Sequence, residues 1–204
     1  MPLSDRAKWN RAAAAYDSLA ARASERRWAA FKREAFRGMA GRVLFLSAGT
    51  GLDFQFFPPG RTIAALDVSE RMLSKAAVRA RGYAGTLALH QMDACNLAFR
   101  DACFDQVYTS CTFCSVNDPL AGLSELRRVL RPGGWLRMFE HTASSLVPLN
   151  AMLHACTAVT ARFGPAMNRP TVRTAERAGF EIVKVRNYYL DVLKFVEARR
   201  SPGS

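Results

Sequence analysis

The residues best suited to hold a ligand gather where an apolar run ends. Val43-Leu44-Phe45-Leu46 leads into Ser47-Ala48-Gly49-Thr50-Gly51, and a second apolar run, Thr62-Ile63-Ala64-Ala65-Leu66, ends in Asp67. A glycine turn lets a ligand lie on bare backbone, and an acid at the tip of the next strand is placed to accept both hydroxyls of a ribose. Spacing narrows the ligand further. A dinucleotide fingerprint beginning at Gly49 and Gly51 needs a third glycine where the chain has Phe54, and a phosphate loop needs a Gly-Lys-Ser/Thr ending that occurs nowhere. What fits is a nucleoside with a ribose and no pyrophosphate.

The elements that must carry these residues follow from hydropathy and breakers. The pattern predicts N-terminal helices, strand 43–47, a helix from about Leu52, strand 62–67, helix 69–80, strand 86–91, strand 104–110, helix 118–130, strand 135–140, and a final pair near 180–186 and 192–198. In Arg131-Pro132-Gly133-Gly134 the proline stops the preceding helix and the glycines supply positive φ before the chain re-enters the sheet. Alternating strands and helices imply an α/β fold with a doubly wound, mostly parallel sheet, whose ligand crevice opens at the carboxyl ends of the strands. Between Thr142 and Pro170 this pattern breaks. The apolar stretch from Leu146 to Phe163 reads as an insert after the fifth strand, positioned to roof an acceptor pocket (142–170).

A chain of 204 residues, half of them hydrophobic, can bury one full core, and no linker divides it. We therefore expect residues 1–42 and 43–204 to fold as one unit. The start is charged before any apolar run, and no apolar stretch has spanning length, which leads to the expectation of a cytoplasmic protein. Five cysteines without a repeating frame suit reduced thiols, and the single CxxC of Cys111 and Cys114 gives no zinc site. The formal charge is +12, and residues 1–42 hold ten Lys/Arg against four Asp/Glu. There, Trp9, Tyr16, Leu19, Trp28, Phe31 and Phe36 stand among Arg22, Arg26, Arg27, Lys32, Arg33 and Arg37 with roughly helical spacing. Such helices either lie on an anionic membrane surface or cap the cofactor pocket with a solvated basic face.

Further stretches carry a family resemblance. Met92-Asp93-Ala94, Phe104-Asp105-Gln106-Val107-Tyr108 and the segment from Leu126 to Leu136, taken with Val43–Gly51 and Asp67, resemble the motifs of class I S-adenosylmethionine (SAM)-dependent methyltransferases over roughly Ala40 to Arg199. The resemblance implies a single Rossmann-like sheet of seven strands with an antiparallel edge strand. It implies SAM as cofactor, with S-adenosylhomocysteine as its product, held by Ser47, Ala48, Gly49, Thr50, Gly51, Asp67, Val68, Met72, Asp93, Ala94 and Cys111. Gly49 and Gly51 would leave room for the methionine portion and Thr50 would offer its hydroxyl. Asp67 would take the ribose, Met72 would lie against the adenine, and Asp93 would meet the adenine amino group. For both acids the alternative is a helix N-cap. Two positions depart from the family: Phe45 stands where members carry an acid, and Ser47 replaces the first glycine, keeping the turn if its φ is negative.

The Asn/Asp-Pro-Pro-aromatic motif of nucleic-acid amino-base methyltransferases is missing after the fourth strand, so no nucleic-acid partner is expected. Cys114-Ser115-Val116, Phe139-Glu140-His141 and Met167-Asn168-Arg169-Pro170-Thr171 are instead similar to small methyltransferases that act on membrane lipids, lipophilic thiols or quinones. Methyl transfer is an in-line displacement at a sulfonium, so the enzyme mainly positions the acceptor and excludes water. An amine acceptor must also lose a proton, and His141 at the end of the fifth strand is a candidate base, with a pocket-wall histidine as the alternative. Tyr16 is a candidate lid residue over the sulfonium, and Arg169 and Phe113 are candidates for the acceptor. The resemblance thus implies methyl transfer to a lipid or lipophilic small molecule, first the amine of a phosphatidylethanolamine-type phospholipid, at the inner face of a membrane. A small thiol, a quinone or a soluble metabolite is the alternative acceptor, and a non-catalytic SAM-binding module, motivated by Phe45 and Ser47, is the alternative class.

Overall fold

The computed structural model describes residues 5–160, 166 and 168–203. Seven strands form one sheet in the order β3-β2-β1-β4-β5-β7-β6. They are β1 (Val43–Leu46), β2 (Thr62–Asp67), β3 (Thr86–Gln91), β4 (Phe104–Ser110), β5 (Leu130–His141), β6 (Phe180–Tyr188) and β7 (Leu193–Arg200). β1 to β5 run parallel. The antiparallel strand, β7, is inserted between β5 and the outermost strand β6. The chain order reverses direction between β1 and β4, which opens a crevice at their carboxyl ends, the usual ligand position in such sheets.

The two-residue period of β1 divides the core. Leu44 and Leu46 pack with Val107, Leu126, Leu136 and Val196 on one face of the sheet. Val43 and Phe45 join Phe36, Ile63, Tyr108 and Phe139 on the other. The Phe45 ring lies 5.8 Å from Phe36 and 4.9 Å from Phe57, so an acid at this position would be a charge inside an aromatic cluster. That is a packing reason for the departure from the family pattern.

Helices α1 (Asp5–Ala12), α2 (Leu19–Phe36), α3 (Glu70–Ala80), α4 (Pro119–Val129), α5 (Val147–Thr160) and α6 (Thr171–Arg177) complete the fold. Asp118 caps α4 by accepting from Ala121 N, with Pro119 in the first helical turn. Gly133 takes the expected positive φ, +74°, but it does so within the start of β5, and Gly134, expected to share it, does not. The helix expected from Leu52 is a correction: it is a 3₁₀ turn, Leu52–Phe56. Pro58 forces Phe57 into an extended conformation (φ −73°, ψ 140°) and ends the element after five residues.

The N-terminal basic region forms two helices. α1 sits against α3, where Arg6 pairs with Glu70 at 2.9 Å and Asn10 accepts from Ser69 Oγ at 2.6 Å. α2 turns Trp28, Phe31, Ala35 and Phe36 onto the sheet and leaves Arg26, Arg27 and Arg33 exposed, as is Arg37 just after it. Its apolar face is thus spent on the core. Among the described residues no helix is long and apolar enough to cross a membrane.

Candidate active site

Most of the site hangs from the ends of β1, β2, β3 and β4. Ser47 leaves β1 with φ +57°, and Gly49 and Gly51 follow at φ +55° and +84°. The condition of a negative φ at Ser47 is not met, and the turn is kept by a left-handed serine, a conformation that costs an L-residue about 1–2 kcal/mol. Ala48 N donates to Leu66 O at 2.8 Å and Gly51 N to Ala48 O at 2.9 Å, which pins the turn to β2. The two glycines do different things. A Cβ on Gly49 would meet only Tyr16 Cε1 at 3.9 Å, whereas one on Gly51 would come within 2.8 Å of the Phe54 ring and 3.1 Å of Ala76 Cα. Gly49 therefore borders ligand space, and Gly51, assigned to the cofactor by the resemblance, serves the packing of the 3₁₀ turn on α3.

Asp67 is 7% exposed at the tip of β2. Its Oδ2 accepts from Gly49 N and its Oδ1 from Ser69 N, each at 2.9 Å. Burial raises its pKa, and the N–H groups of Ser69, Gly49 and Val68 pull it back. The N-cap alternative falls away, because the cap of α3 is Ser69, whose hydroxyl accepts from Met72 N at 3.1 Å. Asp93 closes a short turn by accepting from Cys95 N at 2.8 Å and caps no helix.

These residues border one cleft of about 650 Å³, with Asp67, Val68, Met72, Asp93 and Ala94 toward one side and Ser47, Gly49, Ser110 and Cys111 toward the other. The N-terminal residues Asp5, Trp9 and Tyr16 line it too. Asp17 fastens this N-terminal segment, accepting from Thr50 Oγ1 at 2.6 Å and from Arg79 at 3.0 Å, with Lys75 at 3.7 Å. Thr50 thus gives its hydroxyl to Asp17, a correction to its expected role on the cofactor. A smaller cavity of about 330 Å³ adjoins the cleft, sharing Tyr16, Ser47, Gly49, Ser110 and Cys111 and adding Ala48, Thr50, Lys32 and Asp53.

The acceptor candidates fare differently. Phe113 is fully buried in the core with its N–H donating to Glu140 Oε2 at 3.1 Å, so its ring is a core residue and contacts no ligand. Arg169 donates to Val116 O while its own carbonyl accepts from Ala143 N, which spends it on pinning a loop beside the cleft. His141 packs edge-on against Trp28, with ring centroids 5.0 Å apart, and borders neither cavity. Burial and the nearby Lys32 push its pKa down to about 4, leaving it neutral. Tyr16 borders both cavities. From the expected roof, α5 borders neither cavity, and Phe163 and Met167 lie outside the described residues.

Glu140 carries a role that the Phe139-Glu140-His141 stretch does not announce. It is fully buried, accepting from Thr109 Oγ1 at 2.6 Å, Thr112 N at 3.0 Å and Phe113 N at 3.1 Å, and so holds the loop that leaves β4. Burial raises its pKa to about 7 against those three donors. Cys114 is buried and Cys111 partly so at the cavity wall, and burial pushes both thiol pKa values up, which keeps them protonated.

Residues 44–138 match the family model described as methyltransferase domain. Together with the crevice at the β1/β4 switch and the acid at the tip of β2, this makes the chain similar to that family. It is 38% identical to the human (Homo sapiens) thiol S-methyltransferase TMT1B over 133 residues, covering 59% of this chain and 54% of the relative. It is 35% identical to the phosphatidylethanolamine N-methyltransferase of Cereibacter sphaeroides over 114 residues, 55% of this chain and 56% of that one. The chain thus spans about half the length of the curated relatives it matches first. In fold it resembles the methyltransferase solved in complex with the Haloferax volcanii Trm112 methyltransferase activator, with TM-score 0.72, 17% identity and coverage of 95% and 97% of the two chains.

Residues of this cleft fit a sulfonium nucleoside on three observations. Gly49 presents bare backbone to the cleft. Each Asp67 oxygen accepts one short N–H bond, while a carboxylate has about four acceptor positions. Ser110 Oγ is buried, borders both cavities and has no hydrogen-bond partner among the described residues.

Proposed function

We propose that this protein transfers a methyl group from SAM to a lipophilic small molecule. The observation that carries the reading is the cleft itself, an acid-tipped crevice under a tethered aromatic lid. Bound SAM would supply an electrophilic methyl carbon on a sulfonium. Asp67 would hold the ribose, Asp93 with Ala94 and Val68 would border the adenine, and Gly49 with Ser47 and Cys111 would line the sulfonium side. Trp9 and Tyr16 would exclude water above it, which is most of what a displacement at sulfur asks of a protein.

For the acceptor, the first reading is a phospholipid amine. Its support is a family relative with that activity in its name and an apolar rim around α5. Val147 and Leu190 are 80% and 73% exposed, and Leu146, Met152 and Tyr189 stand out as well. Asp191 accepts from Ser144 and Ser145, which joins the β6–β7 turn to the start of α5 and makes one patch of these residues. On a chain of charge +12, such a patch suits an anionic bilayer.

A lipophilic thiol is the second reading, favoured by a specific observation. His141 borders neither cavity, so the cleft offers no histidine to take a proton from an ammonium, whereas a thiol ionises near pH 8.5 unaided. Label transfer from radiolabelled SAM decides between them. Counts in an ethanolamine lipid extract support the amine, counts in an alkyl-thiol panel support the thiol, and counts in neither, with a quinone panel also blank, would overturn the lipophilic-acceptor reading. Co-sedimentation with anionic and neutral vesicles tests the lipid surface separately, and equal, negligible binding to both would return the patch to ordinary solvent exposure.

A further inference from the structure

We propose that Lys32 and Asp53 form the recognition site for the α-amino-acid end of the cofactor, an inference that rests on the reading of the cleft given above. The pair is unusual on its own terms. Lys32 lies in the middle of the apolar face of α2, is 2% exposed, and places Nζ 2.6 Å from Asp53 Oδ1 in the 3₁₀ turn. Its ammonium lies 5.9 Å from the ring centres of both Trp28 and Phe139. Two charges removed from water in this way are costly, and an apolar pair of similar volume would commonly hold the fold as well.

Position gives the pair a use. It borders the small cavity that shares Ser47, Gly49, Ser110 and Cys111 with the main cleft and that contains neither Asp67 nor Asp93. A nucleoside with its ribose on Asp67 and its base toward Asp93 must direct its 5′ substituent past Ser47 and Cys111, into this cavity. That substituent ends in an ammonium and a carboxylate. Lys32 and Asp53 present the complementary pair, a cation for the carboxylate and a carboxylate for the ammonium. Ser110 Oγ, buried and without a hydrogen-bond partner among the described residues, stands at the junction of the two cavities. Asp53 also supplies a negative charge that the Phe45 position, packed in its aromatic cluster, does not.

Binding of three related nucleosides to the full chain tests this without reference to turnover. S-adenosylhomocysteine carries the whole amino-acid end, its decarboxylated analogue keeps only the amine, and 5′-methylthioadenosine has neither. Wild-type protein is expected to bind the decarboxylated analogue at least about tenfold more weakly than S-adenosylhomocysteine, the loss for one charged hydrogen bond. Lys32→Met should lose a similar factor for S-adenosylhomocysteine while holding its affinity for methylthioadenosine within about twofold. Asp53→Asn, checked for fold by circular dichroism, should do the same through the amine. Equal wild-type affinity for all three nucleosides would overturn the proposal even if neither variant folds. So would unchanged S-adenosylhomocysteine affinity in Lys32→Met with a raised acceptor KM, because that would put the lysine on the acceptor. If wild type binds none of the three, the nucleoside reading of the cleft fails first and the proposal with it.

Discussion

Ser47 and Cys111 both hold left-handed backbone, at φ +57° and +51°, just beyond the carboxyl ends of the neighbouring parallel strands β1 and β4. Both border the cleft on the side expected to take the sulfonium. Non-glycine residues persist in this region only where the surroundings hold them, and they concentrate at functional sites.

Strain at Ser47 should be recoverable. Ser47→Gly is expected to raise unfolding free energy by about 0.5–1 kcal/mol, the left-handed penalty less the added freedom of the unfolded glycine chain. Ser47→Val should lower it by more than about 1 kcal/mol, since a β-branched residue tolerates positive φ worst. Urea melts of the three proteins measure this, and a loss of stability in the glycine variant would show that the serine side chain, and not its backbone, matters here.

Glu140 and His141 should oppose each other in pH dependence. Glu140 has a folded pKa of about 7 against 4.5 unfolded, so the fold holds a proton the unfolded chain lacks, and stability falls as pH rises from about 4.5 to 7. His141 is held at about 4 against 6.5, so its contribution is present above 6.5 and is lost as pH falls toward 4. Each shift corresponds to about 3 kcal/mol, and in the shared window the two nearly cancel. Relative to wild type, His141→Asn should therefore gain stability on acidification from pH 7 to 4.5, and Glu140→Gln should lose it from 6.5 to 4. Parallel slopes in the two variants would contradict these assignments.

The lid depends on Asp17. Asp17→Ala removes its bonds to Thr50 and Arg79 and its approach to Lys75, and should loosen the N-terminal segment from α3 at a cost of about 1–2 kcal/mol for the partly buried set. Limited proteolysis should then cut near residues 13–18 several times faster, with cofactor affinity weakened several-fold. Unchanged cleavage would mean that α1 is held by its own contacts to α3.

Much of this architecture was legible because its signals are periodic and local. β2, β3 and β4 fall at the residues that their apolar runs mark, and Asp67 follows from its place after one of them. The sequence after Leu52 implies a helix because glycine-turn geometry normally leads into one, and Pro58 cuts it to five residues. Lys32 reads as part of a basic face because helical spacing does not distinguish a buried cation from an exposed one; its partner Asp53 lies 21 residues away and only the fold brings them together. Thr50 and Arg169 have the chemistry for a ligand, and each is taken up by a contact distant in sequence, Asp17 for one and Val116 for the other. Phe113 follows a strand that aims at the crevice, yet the loop held by Glu140 turns it into the core. Glu140 itself reads as an ordinary strand-end acid until its three donors are seen together.

Isothermal titration of S-adenosylhomocysteine into wild-type protein and Asp67→Asn reaches the central claim most directly. The account predicts one site per chain in wild type and an affinity about 10- to 100-fold weaker in the variant, the loss of charged acceptors for the ribose hydroxyls. Saturable binding that Asp67→Asn leaves intact, or no heat in wild type at millimolar ligand, would contradict it.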